Sequence, residues 1–155
     1  MNRELFFENA RLLNSLSITP LMYGSLGLEY LTGKNLNADD IDILIPEIFI
    51  SAKWNEFRDT LEDEGYVLTD EHEHTFCKNG VSYSYASIEE LETFAGISIA
   101  DTKVCCEDRA WFRTISLEQY LEVYKASSKD GYRINVRKKK DSQKIRLIEE
   151  YISHK

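Results

Sequence analysis

Asp40 and Asp42 stand one apolar residue apart at the head of the run DIDILIP. Successive side chains of a strand point to opposite faces, so both carboxylates would leave the same face. Two like charges held that close repel, and one would tend to protonate or turn to water unless a cation lies between them. Mg²⁺ suits the role, because it commonly takes one or two protein carboxylates and completes its shell with water and substrate phosphates. Upstream, Gly24 and Ser25 end a short apolar run, LMY. A glycine there lets backbone N–H groups approach a phosphate, and the serine hydroxyl adds a donor. A phosphate cradle and metal-binding carboxylates on neighbouring strands are the parts needed for phosphoryl or nucleotidyl transfer. A plainer reading stays open, in which Asp39 and Asp40 finish a surface loop and Asp42 lies on a solvated face, since short motifs recur by chance.

The elements that must position these residues follow from periodicity. RELFFENARLLNSLSI places Leu5, Phe6, Ala10, Leu12, Leu13 and Leu16 at near-helical spacing, which predicts an amphipathic helix ending near Ser17. TPLMYGS reads as a short strand feeding a tight turn, LGLEYLTG as a short helix closed by Gly33, and DIDILIP as a second strand ended by Pro46. SAKWNEFRDTLEDEGY predicts a helix with Ser51 able to cap it and Trp54, Phe57 and Leu61 on one face. From Tyr66 the chain alternates, predicting one strand up to about Lys78, a turn at Asn79-Gly80 and a partner strand from Val81 to Ala86. IEELETFAG then reads as helix, TKVCCEDRAWFRTI as a hairpin with EDR at its tip, and the remainder as two helices about Gly131. The order predicts an α/β (α+β) domain spanning 1–155: a small mixed sheet with flanking helices over about 1–115, and a helical pair over about 116–155.

Gly24-Ser25, a gap of fourteen residues, then Asp40-Ile41-Asp42-Ile43 resembles the signature of the DNA polymerase β-type nucleotidyltransferase superfamily. The layout is similar to its small single-domain members related to lincosamide and aminoglycoside nucleotidyltransferases. The resemblance implies that Gly24 and Ser25 hold the phosphates of a nucleoside triphosphate. It implies that Asp40 and Asp42 are the catalytic carboxylates, binding Mg²⁺, or Mn²⁺ in its place. The activity implied is transfer of a nucleoside monophosphate to a hydroxyl of a small molecule or protein. The family pattern has a third carboxylate on a later strand, and in NGVSYSYAS that position falls on Ser84. Glu89 or Glu90 could substitute from the following turn; otherwise the chain would be a catalytically silent module that binds nucleotide or a protein partner.

The rest of the composition sets limits. A net charge of -8 disfavours broad nucleic-acid binding, which relies on many basic phosphate contacts. No apolar run reaches the length of a bilayer span, and the N-terminus lacks the apolar segment of a secretory signal, so a cytoplasmic protein is expected. Cys77, Cys105 and Cys106 are odd in number and lack CxxC spacing, which suits reduced thiols on strands. His72 and His74 would share one face of the alternating strand, without a further ligand at familiar spacing to complete a zinc site. Arg137 to Lys140 form the basic cluster; one of them could reach a triphosphate, or all could belong to a solvated helix start. No nucleophile elbow, dinucleotide fingerprint or P-loop is present.

Overall fold

The computed structural model describes residues 2–129 and 138–153, with side chains described over 2–126 and 144–153. The chain runs α1 (Arg3–Ser15), β1 (Leu21–Tyr23), α2 (Gly24–Thr32), β2 (Asp40–Ile45), α3 (Trp54–Asp63), β3 (Val67–Asp70) and β4 (Thr75–Lys78). It continues with β5 (Val81–Ser87), α4 (Glu90–Ala95), β6 (Lys103–Glu107), β7 (Ala110–Thr114), α5 (Leu117–Lys129) and α6 (Lys138–Ser153). One seven-stranded sheet has the order β3-β4-β5-β2-β1-β7-β6. It is mixed: β2 is parallel to β5 and β1 to β7, and the remaining pairs are antiparallel. The α/β class with helices flanking a mixed sheet is as expected.

Alternation along β2 divides the core between two faces. Ile41, Ile43 and Ile45 bury into a cluster with Phe6, Leu13, Phe57, Leu61, Tyr83 and Tyr85, so α1 and α3 cover that face. Leu44 and Leu21 bury on the other face, with Leu91 of α4, Tyr120, Val123 and Tyr124 of α5 and Ile148 of α6. The start of α5 is a reciprocal capping box. Ser116 N donates to Gln119 Oε1 at 2.8 Å, and Gln119 N to Ser116 Oγ at 3.1 Å. Among the described residues, no helix is long and apolar enough to cross a membrane.

Three expectations need correction. The single strand expected up to Lys78 is two strands, β3 and β4, joined by a turn at 71–74. Asp70 Oδ1 accepts from Glu73 N at 3.1 Å, and His74 takes φ 52°, so local side-chain bonding and a left-handed residue override the alternating pattern. His72 and His74 therefore lie in the turn and share no strand face. His72 is exposed, while His74 meets the Trp54 ring edge-on at 4.8 Å. Finally, Ser51 does not cap α3: its hydroxyl donates to Glu47 O at 2.9 Å, within a short 3₁₀ turn over Glu47–Ile50. The hairpins at Asn79-Gly80 and at the EDR tip are as expected, with Asp108 and Arg109 both at positive φ. All three cysteines are free thiols on strands. The helix break at Gly131 lies outside the described residues, and so do the side chains of Arg137 to Lys140.

Candidate functional site

The sheet register brings the predicted residues together. β1 runs antiparallel to β2 with Tyr23 opposite Asp42, so the chain leaves β1 beside that aspartate and enters α2 at Gly24. Gly24 has φ +63°, a conformation that L side chains rarely adopt. A Cβ there would also lie 2.5 Å from Asp42 Oδ2. Glycine thus serves two needs, the left-handed turn and the packing of a carboxylate against its Cα. Asp42 is half-buried at the N-terminus of α2, where backbone N–H groups lack intrahelical partners and a negative charge is favoured. Ser25 is the second residue of that helix. Asp40 is exposed, two residues out along the central strand and on the same face.

Ser84 lies directly opposite Asp42 on the parallel neighbour β5, and Ser82 opposite Asp40. Antiparallel pairing continues both rows onto β4, to Thr75 and Cys77. Ser84 Oγ and Thr75 Oγ1 are 2.8 Å apart and share a hydrogen bond. The face beside the aspartates therefore carries small, mostly hydroxylated side chains, in contrast to the buried tyrosines of β5 on the other face.

Glu89 does not supply a third carboxylate. Its Oε2 accepts from Glu47 N at 2.8 Å and Ser87 Oγ at 3.0 Å, and Ser87 pairs with Ile45 at the far end of β2. Glu90, the next residue, opens α4 at that same far end. Among the described residues, no three His, Cys, Asp or Glu side chains converge as a metal site. Asp40 and Asp42 alone fit a cation that brings further ligands with it, as Mg²⁺ does when carried by a polyphosphate. They do not fit a cation held wholly by protein.

Two residues without an obvious chemical pattern hold the site in shape. Tyr120 of α5 is fully buried, and its hydroxyl donates toward Gly24 O at 3.3 Å and Met22 O at 3.5 Å. Its ring stacks between Tyr23 and Tyr124, with centroids at 6.2 and 6.0 Å. Burial above all, then the neighbouring Tyr124, Tyr23 and Asp42, raises the Tyr120 phenol well above its usual range, so the hydroxyl stays a donor. The second residue is Glu29 of α2, only 1% exposed. Its Oε1 accepts from Leu36 N at 2.7 Å and Ala38 N at 3.2 Å, fixing the loop that delivers Asp40. Asn2 holds the same loop from outside through Ala38 O at 3.1 Å. Glu29→Ala would strand two backbone donors and should cost about 2–3 kcal/mol in denaturant unfolding. Glu29→Gln keeps an acceptor oxygen and should cost less than half of that. Equal losses for the two variants would contradict this role. The signal in the sequence was a lone acid inside the apolar helix LGLEYLTG, which an exposed face would also have explained.

The other side of α2 is anchored by Tyr30, whose hydroxyl donates to Glu107 Oε2 at 2.7 Å. Burial, reinforced by that hydrogen bond and the carboxylate charge, pushes the phenol from 10.0 to about 12. The unfolded phenol loses its proton first, so this contribution to stability is intact below pH 10 and fades as pH climbs toward 12. Chemical denaturation at stepped alkaline pH should show that decline, with a shallower slope in Tyr30→Phe. An unchanged slope in the variant would assign the decline to other tyrosines.

A surface groove lined by Arg58, Asp59, Glu62 and Gly65 to Leu68 lies between α3 and β3, away from the aspartates. Its arginine is already paired with Asp59 and Glu62, at 3.4 and 3.3 Å. It therefore offers no free cation to a phosphate.

No protein-family model matches the chain, and no solved structure matches it. A protein of Bacillus subtilis (strain 168), described as the uncharacterized protein YnaI, is 37% identical over 148 residues, covering 95% of each chain. The chain belongs to the same family as Bacillus subtilis YnaI.

Proposed function

We propose that the chain is a Mg²⁺-dependent nucleotidyltransferase, moving a nucleoside monophosphate from a nucleoside triphosphate to a hydroxyl on a small molecule or protein. The observation that carries this reading is the Asp42 carboxylate packed against Gly24 at the head of α2, with Asp40 on the same face. In this reading the first N–H groups of α2 and the Ser25 hydroxyl receive the phosphates. Asp40 and Asp42 would hold the cation, which would supply neutralisation of the charge that develops at the α-phosphate. The acceptor hydroxyl oxygen bonds to the α-phosphorus and releases its proton to water, the α–β anhydride bond breaks, and pyrophosphate leaves. Tyr120 keeps the Gly24 carbonyl turned away from the phosphates, and Glu29 keeps the Asp40 loop in register. The small polar rows Ser82–Cys77 and Ser84–Thr75 form the floor on which an acceptor would lie.

A second reading has its own support. Ser84 stands opposite Asp42 where a third carboxylate would complete the set, and its hydroxyl is occupied by Thr75. Without a carboxylate there to take the acceptor's proton, the domain would bind nucleotide and act as a silent module. The two readings separate in one assay: label from an α-labelled triphosphate is followed into candidate acceptors together with pyrophosphate release. Transfer that is lost in Asp40→Ala/Asp42→Ala supports the enzyme. Nucleotide binding without pyrophosphate release supports the silent module.

A further inference from the structure

The two edges of the sheet are built differently. Edge strand β3 is irregular: its register against β4 shifts between Leu68 and Asp70, and the acidic turn Asp70 to Glu73 follows it. Bulges and like charges of this kind discourage pairing with a further strand. β6 has neither protection. Five consecutive residues, Lys103 to Glu107, pair with β7 in unbroken register, and the strand contains no proline. Among the described residues, its outer side pairs with no strand.

The backbone groups on that outer side can be identified. Trp111 N does not donate to β6; it donates to Asn14 Oδ1 at 2.9 Å, and Trp111 O accepts from Asn14 Nδ2 at 3.0 Å. Arg113 N likewise turns away from β6 and donates to Pro20 O at 2.8 Å. Their partners across the ladder, Cys106 and Val104, are thus in non-hydrogen-bonded pairs and direct their own N–H and C=O groups outward. Two exposed apolar side chains lie at the same place. Val104 is 47% exposed and Trp111 54%, and the pairing puts both on one face with Cys106.

We propose that a second copy of this chain docks on β6, the two edge strands running antiparallel about a two-fold axis at Cys105. The strand reads KVCCE, and this register is self-complementary. Val104 meets the partner's Cys106 on both sides of the axis, and each pair exchanges two backbone hydrogen bonds. Lys103 faces the partner's Glu107, again twice. Glu107 is already steadied at the edge by Tyr30. Each Val104 also comes beside the row that carries Trp111 in the other copy, so the apolar patch is covered by its own symmetry mate. The charge match at both ends of the strand selects a second copy over an unrelated strand, and the sheet becomes continuous through both copies. The aspartate site on the central strand remains open, so this inference does not depend on the nucleotide reading.

The test is sedimentation equilibrium of the full chain, with circular dichroism of each variant to verify the fold. The wild type should dimerise. Lys103→Glu and Glu107→Lys, each alone, should weaken the dimer about tenfold, because two attractive pairs become repulsive. An equimolar mixture of the two variants should recover the affinity as a heterodimer, which a repair of the individual folds would not produce. A wild type that stays monomeric overturns the proposal. So does a dimer indifferent to Lys103→Glu, or a mixture no tighter than its components.

Discussion

Gly27→Ala should lower the stability of the chain by about 3 kcal/mol, near the top of the range for overpacking a core position. Gly27 is buried on α2, facing α5. A Cβ there would overlap the Tyr120 hydroxyl and come within 2.8 Å of Met22 O. The hydroxyl could move by rotating or shifting its ring, but the carbonyl belongs to β1 and is fixed by the sheet. For a chain of this size the loss corresponds to a melting temperature lower by about 6–12 °C. Gly27→Ala/Tyr120→Phe removes the hydroxyl oxygen and leaves the carbonyl, so it should recover about 1 kcal/mol relative to the sum of the single changes. Thermal unfolding of the four proteins provides the cycle. Strict additivity would mean that α2 and α5 do not meet at Gly27.

Asp40→Ala/Asp42→Ala has the opposite profile, a small effect on folding and a large one on ligand binding. Asp40 is exposed and Asp42 half-buried at a helix N-terminus, where a carboxylate contributes about 0.3–1 kcal/mol. The double change should therefore melt close to wild type. Metal-dependent affinity for a triphosphate should fall at least about 100-fold, or ~2.7 kcal/mol, because the cation loses both of its protein carboxylates. A double variant that binds as tightly as the wild type would place the cation elsewhere. One that fails to fold would show that the carboxylates are structural, against the exposure of Asp40.

Much of this arrangement was legible because strand periodicity is unambiguous when one face is buried. Ile41, Ile43 and Ile45 fix one face of β2, and Asp40 and Asp42 are then forced to the other. Ser84 is singled out only by the resemblance; alternation along VSYSYAS fixes its face, and the β2–β5 register that sets it opposite Asp42 is visible only in the sheet. The pattern failed where it continued through a turn. From Val67 to Lys78 the alternation is kept, but the turn depends on an Asp70 side-chain bond and on the left-handed His74, neither of which has a periodic signature. The start of α2 was also obscured, because the helix begins at Gly24 directly after the last strand residue, Tyr23, with no intervening turn. Glu29 and Tyr120 were not legible as parts of the site. Their roles depend on contacts seven or more residues away, from Leu36 N to Glu29 and from Tyr120 back to Gly24. Spacing along the chain does not reveal such contacts. The β6 edge was predicted as a hairpin arm, but only the sheet order shows that it lies outermost.

The most direct test of the central claim is a calorimetric titration of the full chain with ATP and GTP, with and without Mg²⁺, alongside Asp40→Ala/Asp42→Ala. The account predicts binding of at least one triphosphate that requires the metal and disappears in the double variant while its fold is retained. Absence of binding to either triphosphate in the presence of Mg²⁺, or binding that survives the loss of both carboxylates, would contradict it.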